Sequence, residues 1–204
     1  MKFFDPDSKF AQIMTSFGEM MLLNLCWILG SLPIVTIGAA NTAMYTVMGR
    51  RLREEGSGTI VPFFKAWWSN LKVATLFWVP QVFVTCSLGL LIFMNVPWIL
   101  RLLAAVLLLL ANLMFSTVYP QIARFRNRPF AYLRNGLILV VLKLGRLLLN
   151  LILFLSPVLF FLLYPVDFLQ LGVVWILFGF SLLFYLSAKI MRNVLSPLEN
   201  MGKQ

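Results

Sequence analysis

The side chains with the most chemical potential in this sequence are uncharged amides inside long apolar stretches. Asn24, Asn41, Gln81 and Asn112 each interrupt a run of hydrophobic residues. An amide offers N–H donors and a carbonyl acceptor, so it can bind a polar molecule or bond to a neighbouring helix. Two interpretations stay open: a polar path lined by Asn24, Gln81 and Asn112, or packing contacts between helices.

Groups suited to catalysis are scarce. The chain has no histidine, which removes the most common general base and the most common metal ligand. None of the seven acidic residues lies deep in an apolar stretch, whereas a proton-coupled carrier usually keeps such a group in the membrane. No metalloprotease, serine hydrolase or Walker A motif occurs. We therefore expect no enzyme activity, no catalytic residue, no cofactor and no metal site.

Basic residues near the fourth apolar stretch form a second candidate site. Lys143 and Arg146 lie three residues apart and would share a helix face. A charge at mid-membrane costs from roughly 3 kcal/mol upward, so one interpretation is that the span starts near Leu147 and both side chains snorkel to the interface. The other is a cationic pocket for an anionic lipid or a sugar phosphate, completed by Arg124 and Arg128.

The elements that must position these residues are predicted to be membrane-spanning helices. Of the 204 residues, 61% are hydrophobic and 12% are charged, against about 25% charged in a soluble domain. A membrane helix needs about 20 mostly apolar residues. Five stretches qualify: Met20–Val47, Val73–Val96, Leu102–Tyr119, Leu137–Tyr164 and Phe168–Ala188. We predict an all-α, polytopic transmembrane helix bundle that forms a single domain over residues 1–204.

The first apolar stretch contains a break. Pro33 removes a helical hydrogen bond, and Thr36 can cap a new helix that begins near Gly38. The stretch is then either one kinked span or a hairpin within residues 20–52, with helices over 8–32 and 38–52, which gives six spans. Because a polar path would also use this break, Pro33 and Gly38 are candidate site residues together with the amides.

An aromatic segment precedes the second predicted span. Phe63, Phe64, Trp67, Trp68 and Leu71 recur at helical spacing. This pattern predicts a short amphipathic helix that lies in the headgroup region, separate from the span.

The net charge of +10 is interpreted as an orientation signal. The basic residues lie beside apolar spans, where they contact anionic lipid headgroups, and no nucleic-acid recognition motif accompanies them. Fourteen of the seventeen basic residues fall on one side of a five-span bundle, and the hairpin raises this to sixteen. We expect a cytoplasmic C-terminus in both cases, with the N-terminus outside for five spans and inside for six.

Four runs in the first quarter of the chain have a distinctive composition: Phe4–Ser8 (FDPDS), Leu23–Trp27 (LNLCW), Ser31–Ala40 (SLPIVTIGAA) and Thr42–Tyr45 (TAMY). They resemble the YesL-like family of bacterial integral membrane proteins, a family with a domain-of-unknown-function label. The later Phe63–Phe64 and Asn70–Lys72 are similar to its next block. The resemblance implies a multi-pass protein of the bacterial plasma membrane, encoded near sugar uptake genes, and it implies no established reaction.

On this resemblance we expect an accessory or regulatory partner of a carbohydrate uptake system. Permease subunits of a sugar importer and the anionic lipid bilayer are the expected partners, and nucleic acid is not. The alternative is a small solute transporter or channel-like protein that acts alone through its polar faces.

The two topologies differ in where the N-terminus lies. A reporter fused after Gln204 is expected to be active only when designed for the cytoplasm, because translocating the basic segments is costly. A cysteine placed at Phe3 is labelled from outside if there are five spans and protected if there are six. An externally active fusion at Gln204 would contradict the predicted orientation.

Overall fold

The computed structural model of the protein describes residues 9–55 and 58–201. Within these ranges the chain is helical, with short connections and no strand. The long helices are α1 Lys9–Ser31, α2 Ile37–Leu52, α3 Ile60–Phe93, α4 Trp98–Arg124, α5 Pro129–Leu163 and α8 Phe180–Met201. The short elements are a 3-10 turn at Ile34–Thr36, α6 Pro165–Gln170, α7 Gly172–Val174 and a π-helix at Trp175–Gly179. The Phe4–Ser8 run lies outside the described residues.

Five helical stretches of the described chain have the length and hydropathy of membrane spans. They are Phe10–Ser31, Ile60–Phe93, Trp98–Arg124, Pro129–Leu163 and Gly172–Val194. This confirms the predicted all-α bundle of a multi-pass membrane protein. The last four overlap the predicted spans with shifted bounds, whereas the first ends at Ser31 and so covers only part of the predicted Met20–Val47.

The first apolar stretch is a helical hairpin, and its interpretation as one kinked span over Met20–Val47 is wrong. The Glu19 carboxylate pairs with Arg51 at 3.1 Å, and Trp27 Nε1 donates to Asn41 Oδ1 at 3.0 Å. The middle of α1 therefore meets the end of α2, and the end of α1 meets the start of α2, so the two helices run antiparallel. The physical reason is Pro33, which ends the helical hydrogen-bond pattern and turns the chain through an extended backbone (φ −77°, ψ 112°).

Helix α2 is the centre of the bundle. Its 16 residues rise about 24 Å, which is less than the roughly 30 Å hydrocarbon core of a bilayer. It contacts α1, α3, α4 and α8, and nine of its residues are buried, most of them small or flexible side chains such as Ala39, Ala40, Ala43 and Met44. Small side chains let neighbouring helices approach closely, which is how membrane helices pack.

The turn between α1 and α2 exposes backbone carbonyls, and α3 bonds to them. Trp67 Nε1 donates to the Gly30 carbonyl at 3.1 Å, and Trp78 Nε1 donates to the Ile34 carbonyl at 2.8 Å. The Thr36 hydroxyl lies 2.8 Å from both the Gly30 and the Pro33 carbonyl oxygens. Thr36 is thus at the predicted start of α2, but its side chain bonds backward to these carbonyls instead of capping the new helix.

The aromatic segment around Phe63 belongs to α3 and is not a separate interfacial helix. Helix α3 continues without interruption for 34 residues. Phe63 is fully buried and packs beside Gly30, whereas Trp68 is 75% exposed. The prediction failed because aromatic residues at helical spacing fit a helix lying on the membrane and a helix packed against its neighbours equally well.

The remaining helices pack with their sequence neighbours in antiparallel pairs. Tyr119 of α4 bonds to Gln81 of α3, and Ser187 of α8 bonds to Asn150 of α5. Gly136 of α5 lies against Met114 and Thr117 of α4. The C-terminal ends of α2, α4 and α8 meet at one end of the bundle, where Leu52, Arg124 and Arg192 line one small cavity and Arg124 pairs with Glu199.

That end, which we call the basic end, carries three ion pairs: Arg51–Glu19, Arg53–Glu55 and Arg124–Glu199. Hydrogen bonds from Arg53 lower the pKa of the exposed Glu55 carboxyl. These ion pairs agree with the hairpin topology, which places most basic residues on one side of the membrane. The assignment of that side to the cytoplasm stays a prediction.

Gly38 is a point of close approach between α2 and α3. A Cβ there would lie 2.7 Å from Trp78 Cβ and 2.8 Å from the Ala74 carbonyl oxygen. Because neither atom can move without the backbone, we expect Gly38→Ala to lower the free energy of unfolding by about 1–3 kcal/mol. The measurement is the unfolding midpoint of the purified protein in detergent.

The matched control is Gly89→Ala in α3, where the added Cβ meets nothing within 4 Å. That variant should be as stable as the parent or slightly more stable, because alanine favours helix over glycine by about 0.5–1 kcal/mol. Equal midpoints for the two variants would contradict the close approach.

Candidate functional site

A cavity of about 240 Å³ lies where the six long helices of the described chain meet. Each contributes at least one side chain to its wall. The lining residues are Trp27, Ile37, Asn41, Tyr45, Gln81, Asn112, Ser116, Tyr119, Asn150, Leu151, Phe154, Phe180 and Phe184. Spaces between the helices of a bundle are common binding sites for small molecules, so this cavity is the candidate functional site.

Helical spacing places the polar residues on the inner faces. Ile37, Asn41 and Tyr45 follow one another at intervals of four in α2, and Asn112 and Ser116 do so in α4. Residues four apart share a helix face. The break before α2 therefore aims the Asn41 and Tyr45 side chains at the centre of the bundle.

A chain of hydrogen bonds forms one side of the cavity. Tyr45 Oη lies 2.6 Å from Ser187 Oγ, and the Ser187 hydroxyl donates to Asn150 Oδ1 at 2.5 Å. A serine hydroxyl has one proton, which Ser187 gives to Asn150, so Tyr45 donates to Ser187. We call this chain the Tyr45–Ser187–Asn150 relay.

The relay leaves the amide nitrogen of Asn150 without a partner. Asn150 is only 1% exposed, and its Nδ2 makes no hydrogen bond within the described part of the chain. A buried donor without a partner costs about 1–3 kcal/mol. This nitrogen is the strongest sign that the cavity is built to hold a polar group.

The other amides of the cavity are half satisfied. Gln81 Oε1 accepts from Tyr119 Oη at 2.5 Å, and Asn41 Oδ1 accepts from Trp27 Nε1 at 3.0 Å. Asn112 Nδ2 donates to the Leu108 carbonyl of its own helix at 2.9 Å. The opposite end of each amide has no hydrogen-bond partner among residues 9–55 and 58–201. These free groups are the side-chain nitrogens of Gln81 and Asn41 and the side-chain oxygen of Asn112.

Aromatic rings form the apolar part of the wall. Trp27 stacks on Phe180 with ring centroids 4.1 Å apart. Phe184 meets both Tyr45 and Phe154 edge to face, at 5.1 and 5.3 Å. Contacts of this kind hold rings in fixed positions, so the cavity combines rigid apolar surfaces with unpaired amide groups.

The predicted polar path is assembled only in part. Gln81, Asn112 and Asn41 line the cavity, as the preceding distances show. Asn24 does not: its Nδ2 lies 3.1 and 2.7 Å from the Trp175 and Ile176 carbonyls, and its Oδ1 accepts from the Ser181 backbone N–H at 2.7 Å. The Asn24 amide therefore bonds to the backbone of the π-helix and of the start of α8, and it does not line the cavity.

Pro33 and Gly38 act on the site through the backbone. Pro33 lies in the turn that starts α2, and Gly38 packs against α3. Neither contributes to the lining. Their effect is to direct the neighbouring residues Ile37 and Asn41 into the cavity.

The basic candidates are spread over the basic end. Arg124 pairs with Glu199 at 2.7 Å and, with Arg53 and Arg192, lines a small cavity of about 40 Å³. Arg128 is exposed at the residue before α5.

The other two basic candidates belong to the kinked part of α5. Lys143 is the residue where that helix departs from helical geometry (φ −132°, ψ 30°). Arg146 is exposed and donates through Nη1 to the Asn193 carbonyl at 3.2 Å. Arg128, Lys143 and Arg146 are not part of the small cavity at Arg124, and an anionic ligand for these residues stays a prediction.

Sequence reasoning gave too little weight to the relay. Asn150 is an amide inside the predicted span Leu137–Tyr164, a place where amides commonly bond to neighbouring helices. Tyr45 and Ser187 gave no signal, because tyrosine and serine are ordinary residues in membrane helices and their pairing joins positions 142 residues apart.

The first part of the chain is similar to a known family. Residues 20–96 match the family described as "Protein of unknown function, DUF624". No curated protein and no solved structure gives a match. The matched residues include the second half of α1, all of α2, and five of the lining residues, Trp27, Ile37, Asn41, Tyr45 and Gln81. The closer resemblance to YesL-like proteins stays an expectation.

The structure separates a structural amide from the amides of the cavity. Asn24→Leu removes three hydrogen bonds to backbone groups, so it is expected to lower the free energy of unfolding by about 1–3 kcal/mol. Asn112→Leu is the control, because its one hydrogen bond goes to a carbonyl of its own helix. We expect its unfolding midpoint in detergent to be close to that of the parent. The reverse order of stability would contradict these assignments.

Proposed function

We propose that the protein is a non-enzymatic, multi-pass protein of the bacterial cell membrane and an accessory or regulatory partner of a carbohydrate uptake system. The observation that supports this most is the central cavity. Its lining holds four amides and six aromatic rings and no charged side chain. Such a wall can bind a small uncharged polar solute, and it offers no carboxylate, imidazole or thiol for a covalent step.

The same lining disfavours driven transport. A carrier coupled to protons or ions usually keeps an ionisable side chain at its site within the membrane. The amides and rings of this cavity keep one charge state at any physiological pH. Binding without a driving group fits a protein that senses a solute or assists a carrier.

The basic end is proposed to face the cytoplasm, with the C-terminus on the same side. There its arginines would contact anionic lipid headgroups, and Arg128 is free to do so because it is exposed. The second half of α3 presents large apolar side chains outward, including Phe83, Leu90 and Phe93. This surface is available to lipid tails and to the helices of permease subunits.

The second candidate function is a small solute transporter or channel-like protein that acts alone. The observation in its favour is that the cavity is only partly enclosed, so a solute could enter it from outside the bundle. Passive conduction needs no ionisable group, and the uncharged lining is compatible with it.

Isolation of the protein from native membranes after chemical cross-linking tests the proposal. We expect permease subunits of a sugar importer to be recovered with the tagged full-length chain. Vesicles that contain the purified protein alone should show no sugar flux above that of empty vesicles.

The opposite pair of results would reject the accessory role. Flux by the purified protein, with no importer subunit recovered from the membranes, would establish the transporter instead. The Gly89→Ala variant is a suitable control in both assays, because the substitution contacts nothing and lies outside the cavity.

A further inference from the structure

We infer that the central cavity binds one uncharged, polyhydroxylated ring compound, and that the Asn150 amide is the group that anchors it. The inference rests on the proposed function, since it names the class of solute for the same site. It follows from the unpaired donors and acceptors of the wall, from the absence of charge among the lining residues, and from the arrangement of the rings.

The first argument is the orientation of Asn150. The relay runs from Tyr45 through Ser187 and ends at Asn150 Oδ1. In this orientation Nδ2 is the end that is left unpaired, and Asn150 is one of the residues that line the cavity. Both N–H groups of this nitrogen need an acceptor, because a buried donor without one is unfavourable.

The second argument is that the wall offers donors and an acceptor together. Gln81 and Asn41 present free N–H groups, as Asn150 does, while Asn112 presents a free carbonyl oxygen. A hydroxyl group both donates and accepts, so several hydroxyls on one molecule satisfy both kinds of partner. An ether or a ketone would leave the Asn112 oxygen without a donor, and a hydrocarbon would leave the free groups of all four amides unpaired.

The third argument is charge. A carboxylate would find donors in the cavity, but no lysine or arginine lies among the lining residues to offset its charge. An ammonium group would likewise meet no aspartate or glutamate. Burial of an unpaired charge costs far more than burial of a neutral polar group, so both ions are disfavoured against a neutral molecule of the same shape.

The last argument is size and shape. At about 30 Å³ of liquid volume for each water molecule, the cavity has room for roughly eight waters. This space suits one small ring and its substituents. The wall combines six aromatic side chains with four amides, and a polyhydroxylated ring has C–H groups on its faces and hydroxyls at its edge. Such a molecule can contact both kinds of lining residue.

Titration calorimetry of the purified full-length protein in lipid nanodiscs tests this inference. The probes are D-glucose, D-glucuronate, D-glucosamine and cyclohexanol, which keep the six-membered ring and change its charge or its hydroxyl groups. We expect D-glucose to bind and the other three to bind at least about ten-fold more weakly. Asn150→Leu is expected to weaken D-glucose binding by about ten-fold. This factor corresponds to about 1.4 kcal/mol, the size of one lost hydrogen bond.

The matched control is Asn70→Leu, because Asn70 bonds within its own helix and does not line the cavity. Its affinity should equal that of the parent. If Asn150→Leu is poorly folded, Asn112→Leu removes the free acceptor and should give a similar loss of affinity. Unfolding midpoints of each variant separate a loss of binding from a loss of folding.

Three results would overturn the inference. One is equal binding of D-glucose and a charged analogue, and another is an affinity that Asn150→Leu and Asn112→Leu leave unchanged. The third is the absence of binding by D-glucose up to high millimolar concentration, which would mean that water alone fills the cavity. If importer subunits are recovered but one of these three results is obtained, the accessory role stands and only the sugar site is rejected. If D-glucose binds but no importer subunit is recovered, the sugar site stands and the accessory role is rejected.

Discussion

The bundle depends on hydrogen bonds to the backbone carbonyls that become free where α1 ends. Lipid supplies no donors, so non-helical backbone in a membrane must be bonded by the protein itself. The carbonyls of Gly30 and Ile34 accept from the indole N–H groups of Trp67 and Trp78, and the Val35 carbonyl accepts from the Thr75 hydroxyl at 3.3 Å. All three donors lie on α3, so these carbonyls of the turn are bonded only when α3 packs against it.

This arrangement determines the position of α2 and, through it, the cavity. Once the turn is bonded to α3, Gly38 allows α2 to lie against the same helix, and the short helix is enclosed by its neighbours. Asn41 and Tyr45 lie three and seven residues after Gly38, on nearly the same side of α2, and they line the cavity together with Gln81 of α3. Because Tyr45 also bonds to Ser187 on α8, the same helix that packs at the centre of the bundle connects the turn to the polar wall.

The sequence predicted the class of fold well and the site only in part. Hydropathy alone identified the last four spans, since lipid requires long apolar helices. The single span over Met20–Val47 failed, because apolar character does not show whether a chain continues or reverses at a proline. The amides at Asn24 and Asn41 look alike in the sequence, yet one bonds to a π-helix and the other lines the cavity. That difference depends on contacts between residues far apart in the chain, which spacing along a helix cannot reveal.

The molecule separates its charges from its polar cavity, and Tyr45 stands at the boundary. Three ion pairs lie at the basic end, whereas the wall of the central cavity is neutral. Tyr45 lines both the central cavity and the small cavity beside Arg53, Arg124 and Arg192. Its hydroxyl is held by Ser187 in a relay that ends at the unpaired Asn150 amide. Two short hydrogen bonds therefore join Asn150, the proposed contact for an occupant, to Tyr45, which borders the charged surface.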